Sequence, residues 1–198
     1  MANTASPYGL RPVNLIGGQP YAGSFREIPV TSNIATAIYN GDVVQMGGVT
    51  AGQPNPITAT PTAGTTPGIV GVCVGARYQN PSSAGGQWMY SQYLPANAIT
   101  NGYTNVYIRV VDDPDALFQV QAVGSVAATL RGKFAALENF GGSIFTGNSI
   151  IRLSTPANTA TLAMRIVDFV DAGSNYTDCI VKFNFGVHMY YNAIALSN

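Results

Sequence analysis

In the stretch "CIVKFNFGVHM", residues 179–189, every second residue is apolar: Cys179, Val181, Phe183, Phe185, Val187 and Met189. Successive side chains of a strand point to opposite faces, so this spacing predicts a half-buried β-strand with one core face. His188 then falls on the polar face, beside Lys182 and Asn184. The same period recurs in "VYIRVV", where Val106, Ile108 and Val110 oppose Tyr107 and Arg109. "DDPDA" supplies turn residues and "LFQVQA" returns, so residues 106–122 read as a hairpin. Turn clusters such as "GGVTAGQPNP", "PTAGTTPG" and "NPSSAGG" separate the runs. The pattern predicts an all-β fold, a β-barrel or β-sandwich.

One segment competes with that reading. "SVAATLRGKFAAL" places Val126, Leu130, Phe134 and Leu137 at helical spacing, with Gly132 weakening a helix by about 1 kcal/mol. An internal comparison favours strand. "FREIPVTSNIAT" at Phe25 matches "FQVQAVGSVAAT" at Phe118, and "GDVVQM" at Gly41 matches "GKFAAL" at Gly132. "IVGVCVGA" at Ile69 then matches "IVDFVDAG" at Ile166, and "NVYIRVV" at Asn105 matches "DCIVKFN" at Asp178. Four blocks in one order suggest two repeated β units, 25–111 and 118–198, with at most one short helix before Gly132. Helix and strand both stay open for residues 125–137.

A chain of 198 residues suits one domain with a sizeable core. The expected division is an extended N-terminal arm, 1–24, and a single β domain, 25–198. Only 9% of residues are charged, against roughly 25% in a typical soluble domain. Net charge is zero and no Lys/Arg run exists, which argues against a nucleic-acid groove. The apolar run 69–76 is far short of the roughly 20 residues of a membrane-spanning helix, so no membrane partner is expected. "MANTASPYGL" lacks the basic and apolar regions of a secretory signal.

Chemistry is sparse. In "PGIVGVCVGARY" the spacing of Gly68, Gly71 and Gly75 fits no phosphate loop; it reads as a strand with bends or close backbone approaches. His188 is the one histidine and has no nucleophile motif near it, and Cys73 and Cys179 lack zinc-ligand spacing. Both thiols are expected free and buried. Residues 112–115, "DDPD", read as a solvated turn rather than a cation site. No catalytic residue, cofactor or metal is expected. "QWMYSQY" groups Trp88, Tyr90 and Tyr93, rings suited to anchoring a protein partner or stacking on a sugar. In the arm, Tyr8, Leu10, Arg11 and Leu15 are expected to lie along a neighbouring subunit or other partner.

The opening "MANTASPYGLRP" resembles the start of a family of tailed-phage virion proteins, M-A-N followed by P-[FY]-G-[LF]-R-P, here residues 7–12. "YNGDVVQM", "GIVGVCVGARY" and the tail "FNFGVHMYYNA" are similar to strands of that family. The resemblance implies a head decoration (cement) protein on the capsid exterior, made in the host cytoplasm. It implies the major capsid protein as partner, a homotrimer by analogy, and no enzymatic activity. The alternatives are another virion component of tail or neck, and a carbohydrate-binding β-sandwich using Trp88, Tyr90 and Tyr93.

Overall fold

A computed structural model describes residues 4–47, 52–64, 68–80, 82 and 86–191. The opening "MAN" and the end of the tail block, Asn192 and Ala193, lie outside them, as do the outer limits of the expected arm and domain. The strands are β1 (Arg11–Leu15), β2 (Arg26–Pro29), β3 (Val43–Met46), β4 (Pro54–Pro56), β5 (Ile69–Gln79), β6 (Trp88–Ser91) and β7 (Thr104–Val111). They continue with β8 (Ala116–Gln121), β9 (Phe134–Ala135), β10 (Leu137–Glu138), β11 (Arg152–Leu153), β12 (Met164–Phe169) and β13 (Asp178–Phe183). A five-stranded sheet has the order β1-β8-β13-β12-β9. A six-stranded sheet has the order β2-β7-β5-β3-β4, with β6 also paired to β5, and β10-β11 form a small ribbon. The chain is thus all-β, built of antiparallel sheets in a sandwich.

The alternation of β7 explains how the sheets meet. Val106, Ile108 and Val110 enter one apolar cluster with Ile28, Val70, Cys73 and Leu94. On the opposite face, Val111 joins Val43, Ile69 and Val72 against Phe118, Val120, Ile166 and Val181 of the other sheet. The five-stranded sheet therefore covers only one end of that face, and Tyr107 and Arg109 are left at the uncovered end.

The glycines of β5 sit where its alternation changes phase. Its register shifts between Ile69 and Gly71 against β3, and between Cys73 and Gly75 against β7. Each extra residue re-aims the strand, as a β-bulge does. A Cβ on Gly71 would stand 2.1 Å from the Val111 carbonyl oxygen, so no side chain fits there. Close backbone approach, not phosphate binding, accounts for Gly71.

The structure corrects four expectations. Residues 106–122 are not a hairpin: β7 pairs with β2 and β5, while β8 pairs with β1 and β13. The Asp-Pro-Asp turn carries the chain from one sheet to the other, because both flanking runs have a face to bury and each finds it in a different sheet. The strand predicted over 179–189 ends at Phe183. Asn184 turns the chain by accepting the Phe185 N–H on Oδ1 (2.9 Å), and Gly186 takes φ +79°. Phe185, expected in the core, is consequently 78% exposed, and His188, expected on the polar face, is fully buried. The disputed segment, by contrast, agrees with the internal comparison: residues 128–130 form one 3₁₀ turn before Gly132, and β9 and β10 are strands.

The blocks matched in the sequence fall on β2, β3, β5 and β7, and on β8, β9, β12 and β13. The spatial orders β2-β7-β5-β3 and β8-β13-β12-β9 coincide block for block. Not every residue pair coincides: Phe25 is 44% exposed whereas Phe118 is fully buried.

Candidate functional site

The arm residues do not form a free surface. Leu10 is fully buried in the core between the sheets. β1 pairs with β8, which places Leu15, half-buried, against the same core. Tyr8 donates its hydroxyl to Asp178 Oδ1 (2.9 Å), and burial, then the Asp178 carboxylate, raise its pKa. Arg11 is exposed and lies over the Tyr8 ring, 4.4 Å from its centroid. Leu10 and Leu15 therefore find their apolar contacts in the chain's own core instead of needing a partner for them, since the five-stranded sheet supplies a free edge at β8. The blocks "PYGLRP" and "YNGDVVQM" in fact meet. The Leu10 N–H donates to the Gly41 carbonyl (3.0 Å), and a Cβ on Gly9 (φ +75°) would collide with that carbonyl at 2.7 Å.

Trp88 and Tyr90 belong instead to an exposed constellation at the uncovered end of the six-stranded sheet. Register places Glu27 of β2 opposite Arg109 of β7, and Arg77 of β5 opposite both Tyr107 of β7 and Tyr90 of β6. Glu27 accepts from Arg77 (2.7 Å) and from Arg109 (3.2 Å) through different oxygens. The Arg77 guanidinium lies 4.4 Å from the Trp88 ring centroid and 4.9 Å from that of Tyr107. The Arg109 guanidinium lies 4.9 Å from both Phe25 and Tyr90. Gly75 faces Arg109 across the ladder, so the β5 position opposite Arg109 carries no side chain. Two guanidiniums are thus fixed by one carboxylate and four rings. Such contacts are worth about 0.5–2 kcal/mol each and order the side chains before any partner arrives. Nothing in the spacing of Phe25, Glu27, Arg77 and Arg109 announced this; only the pairing of four strands assembles them.

Tyr93 does not join that face. It stacks on Tyr39 at 5.6 Å between centroids, beside the 141–147 turn. Trp88, Tyr90 and Tyr93 therefore form no single stacking platform.

Two buried ionisable groups lie elsewhere. Asp42 is 3% exposed and accepts from the Tyr39 N–H (2.8 Å); burial raises its pKa to about 6 against the opposing effects of Ser149 and that N–H. Burial pushes His188 down to about 4, only partly offset by the backbone of Val70 and by Asp112 and Asp113. The residues of the Asp-rich turn diverge: Asp112 pairs with Arg26 (2.9 Å), Asp115 with Lys182 (2.7 Å), and Asp113 accepts the Asp115 N–H (2.8 Å). Among the described residues no three His, Cys, Asp or Glu side chains cluster as metal ligands.

Cys73 and Cys179 are fully buried in different sheets, and burial raises both thiols to about 12. The thiolate is the nucleophile, so both should be inert in the folded chain. Alkylation under native conditions followed by intact-mass measurement should give no adduct, with both sites labelled in urea. Rapid native labelling would contradict this packing.

No protein-family model, no curated protein and no solved structure matches this chain.

Proposed function

We propose that this chain is a non-catalytic structural protein of a tailed-phage virion, a head decoration protein that binds and stabilises the capsid lattice. The opening resemblance supplies the virion reading. The observation that carries the binding role is the face of Trp88, Tyr90, Arg77 and Arg109 around Glu27. Trp, Tyr and Arg are the residues enriched at interface hot spots, and here they are held in place beforehand. The major capsid protein is the proposed partner, and self-association, as a trimer by analogy, belongs to the same proposal.

Particles purified from infected cells provide the test. The chain should be present in a fixed, high copy number relative to the major capsid protein. Attachment should survive 1 M NaCl, where screening acts within about 3 Å, because rings carry most of the contact. The double substitution Trp88→Ala/Tyr90→Ala should weaken attachment at least about 30-fold, as loss of about 2 kcal/mol implies. A few copies per particle would point to tail or neck. Absence from particles together with binding on a glycan array would replace this reading with the carbohydrate one.

A further inference from the structure

The 141–147 turn presents an apolar tip. Phe145 is 94% exposed and Ile144 59%. The turn beneath them is closed by internal bonds: the Ser143 N–H donates to the Asn148 carbonyl (3.0 Å) and the Gly147 N–H to the Ser143 carbonyl (2.7 Å). Its base is pinned to the body. A Cβ on Gly142 would stand 2.4 Å from the Tyr39 ring, and one on Gly147 (φ +71°) 2.8 Å from Gln92 Cβ. A phenyl group held in water on a closed turn gains nothing within its own chain.

The same chain carries a receptacle of the opposite shape. On the outer face of the five-stranded sheet lies a cleft of about 540 Å³, lined by Arg131, Arg165, Val167, Lys182, Phe185 and Tyr191 among others. That volume lies within the roughly 300–1,000 Å³ typical of binding pockets. Its rim is cationic but largely neutralised, since Arg131 pairs with Asp168 and Lys182 with Asp115. Arg165 makes no ion pair among the described residues; its guanidinium lies over Phe134, 5.5 Å from the ring centroid. An acidic segment would meet only one unmatched cation there. An uncharged aromatic group meets an apolar floor and a guanidinium that already stacks on one ring.

We infer that the Ile144–Phe145 tip of one copy inserts into the Arg165–Phe185 cleft of a second copy. This names the contact behind the self-association proposed above and does not depend on the virion reading. The net charge of zero puts no general repulsion between copies. Tip and cleft share no residue; exchanged reciprocally the contact closes a two-fold dimer, and made head to tail it is heterologous. Such a contact closes into a ring where its rotation allows and otherwise propagates as a filament.

Light scattering on the purified full chain tests it with two variants at exposed positions, Phe145→Asp, which breaks the tip, and Arg165→Glu, which spoils the cleft. Wild-type protein should oligomerise, and each variant alone should be monomeric, with association at least 10-fold weaker. Mixing the two should restore one contact per pair, the intact tip of the Arg165→Glu chain in the intact cleft of the Phe145→Asp chain, and give a 1:1 dimer. Circular dichroism of both variants should match wild type. Oligomers that persist in Phe145→Asp would overturn this contact while leaving self-association standing. Monomeric variants that stay monomeric on mixing would also overturn it. A monomeric wild type across the concentration range would overturn self-association itself. Loss of particle attachment by Phe145→Asp with its oligomer intact would assign the tip to a different protein.

Discussion

Deleting residues 1–18 is expected to unfold the domain, not to trim an arm from it. The segment contributes an edge strand, β1, to the five-stranded sheet, in register Arg11 to Gln119 through Leu15 to Ala116. It also contributes Leu10, which has no solvent exposure and sits among the largest fully buried side chains. Truncating a leucine at such a site costs about 2–5 kcal/mol, since a cavity is left behind. Removing the strand as well exposes β8, the Gly41 carbonyl and the partners of Tyr8 and Ser6, namely Asp178 and Gln121. Domains of this kind are stable by only about 5–15 kcal/mol in total. Leu10→Ala alone should lower the thermal midpoint by several degrees, and the deletion should abolish the cooperative transition. A deleted protein that melts cooperatively within a few degrees of wild type would show that the core closes without its N-terminal segment.

Asp42 and His188 should make the wild-type stability flatter with pH than either group alone would. His188 is depressed from 6.5 to about 4, so on acidification the unfolded chain takes up its proton first. Its contribution is whole above pH 6.5 and is lost as pH falls to about 4. Asp42 is raised from 3.8 to about 6, so the folded chain holds its proton longer. Its contribution is whole below pH 3.8 and is lost as pH rises to about 6. Each shift corresponds to about 3 kcal/mol, with opposite sign over nearly the same window. His188→Gln should therefore become more stable on acidification from pH 6.5 to 4 relative to wild type. Asp42→Asn should become less stable over that range by a similar amount. Urea unfolding at pH 4, 5, 6 and 7 reads the slopes, which are independent of any constant cost of the substitution. Curves for both variants running parallel to wild type would mean that neither group titrates as its burial implies.

Period-2 runs and turn clusters determined that this chain is all-β, because strand alternation is local and each strand buries one face whatever its neighbours. The face assignment along β7 followed from the same cause, and so did the buried thiols. The glycines of β5 were readable as bends or close approaches, though not which carbonyl approaches which glycine. Partner choice lay beyond local pattern. Two apolar runs joined by Asp-Pro-Asp look the same whether they pair with each other or cross between sheets, and only competing edges elsewhere in the chain decide. His188 escaped for a related reason: Asn184 and Gly186 break the strand, and the phase of the alternation is lost beyond the break. The arm looked unburied because its acceptor, the core between β8 and the Gly41 loop, is built from residues more than thirty positions away. The Glu27 face arises the same way, from four strands brought into register by cores on the other side of the sheet. Local chemistry determined the elements; which surfaces they leave open was decided by the tertiary pairing, since exposure depends on what every other strand has already covered.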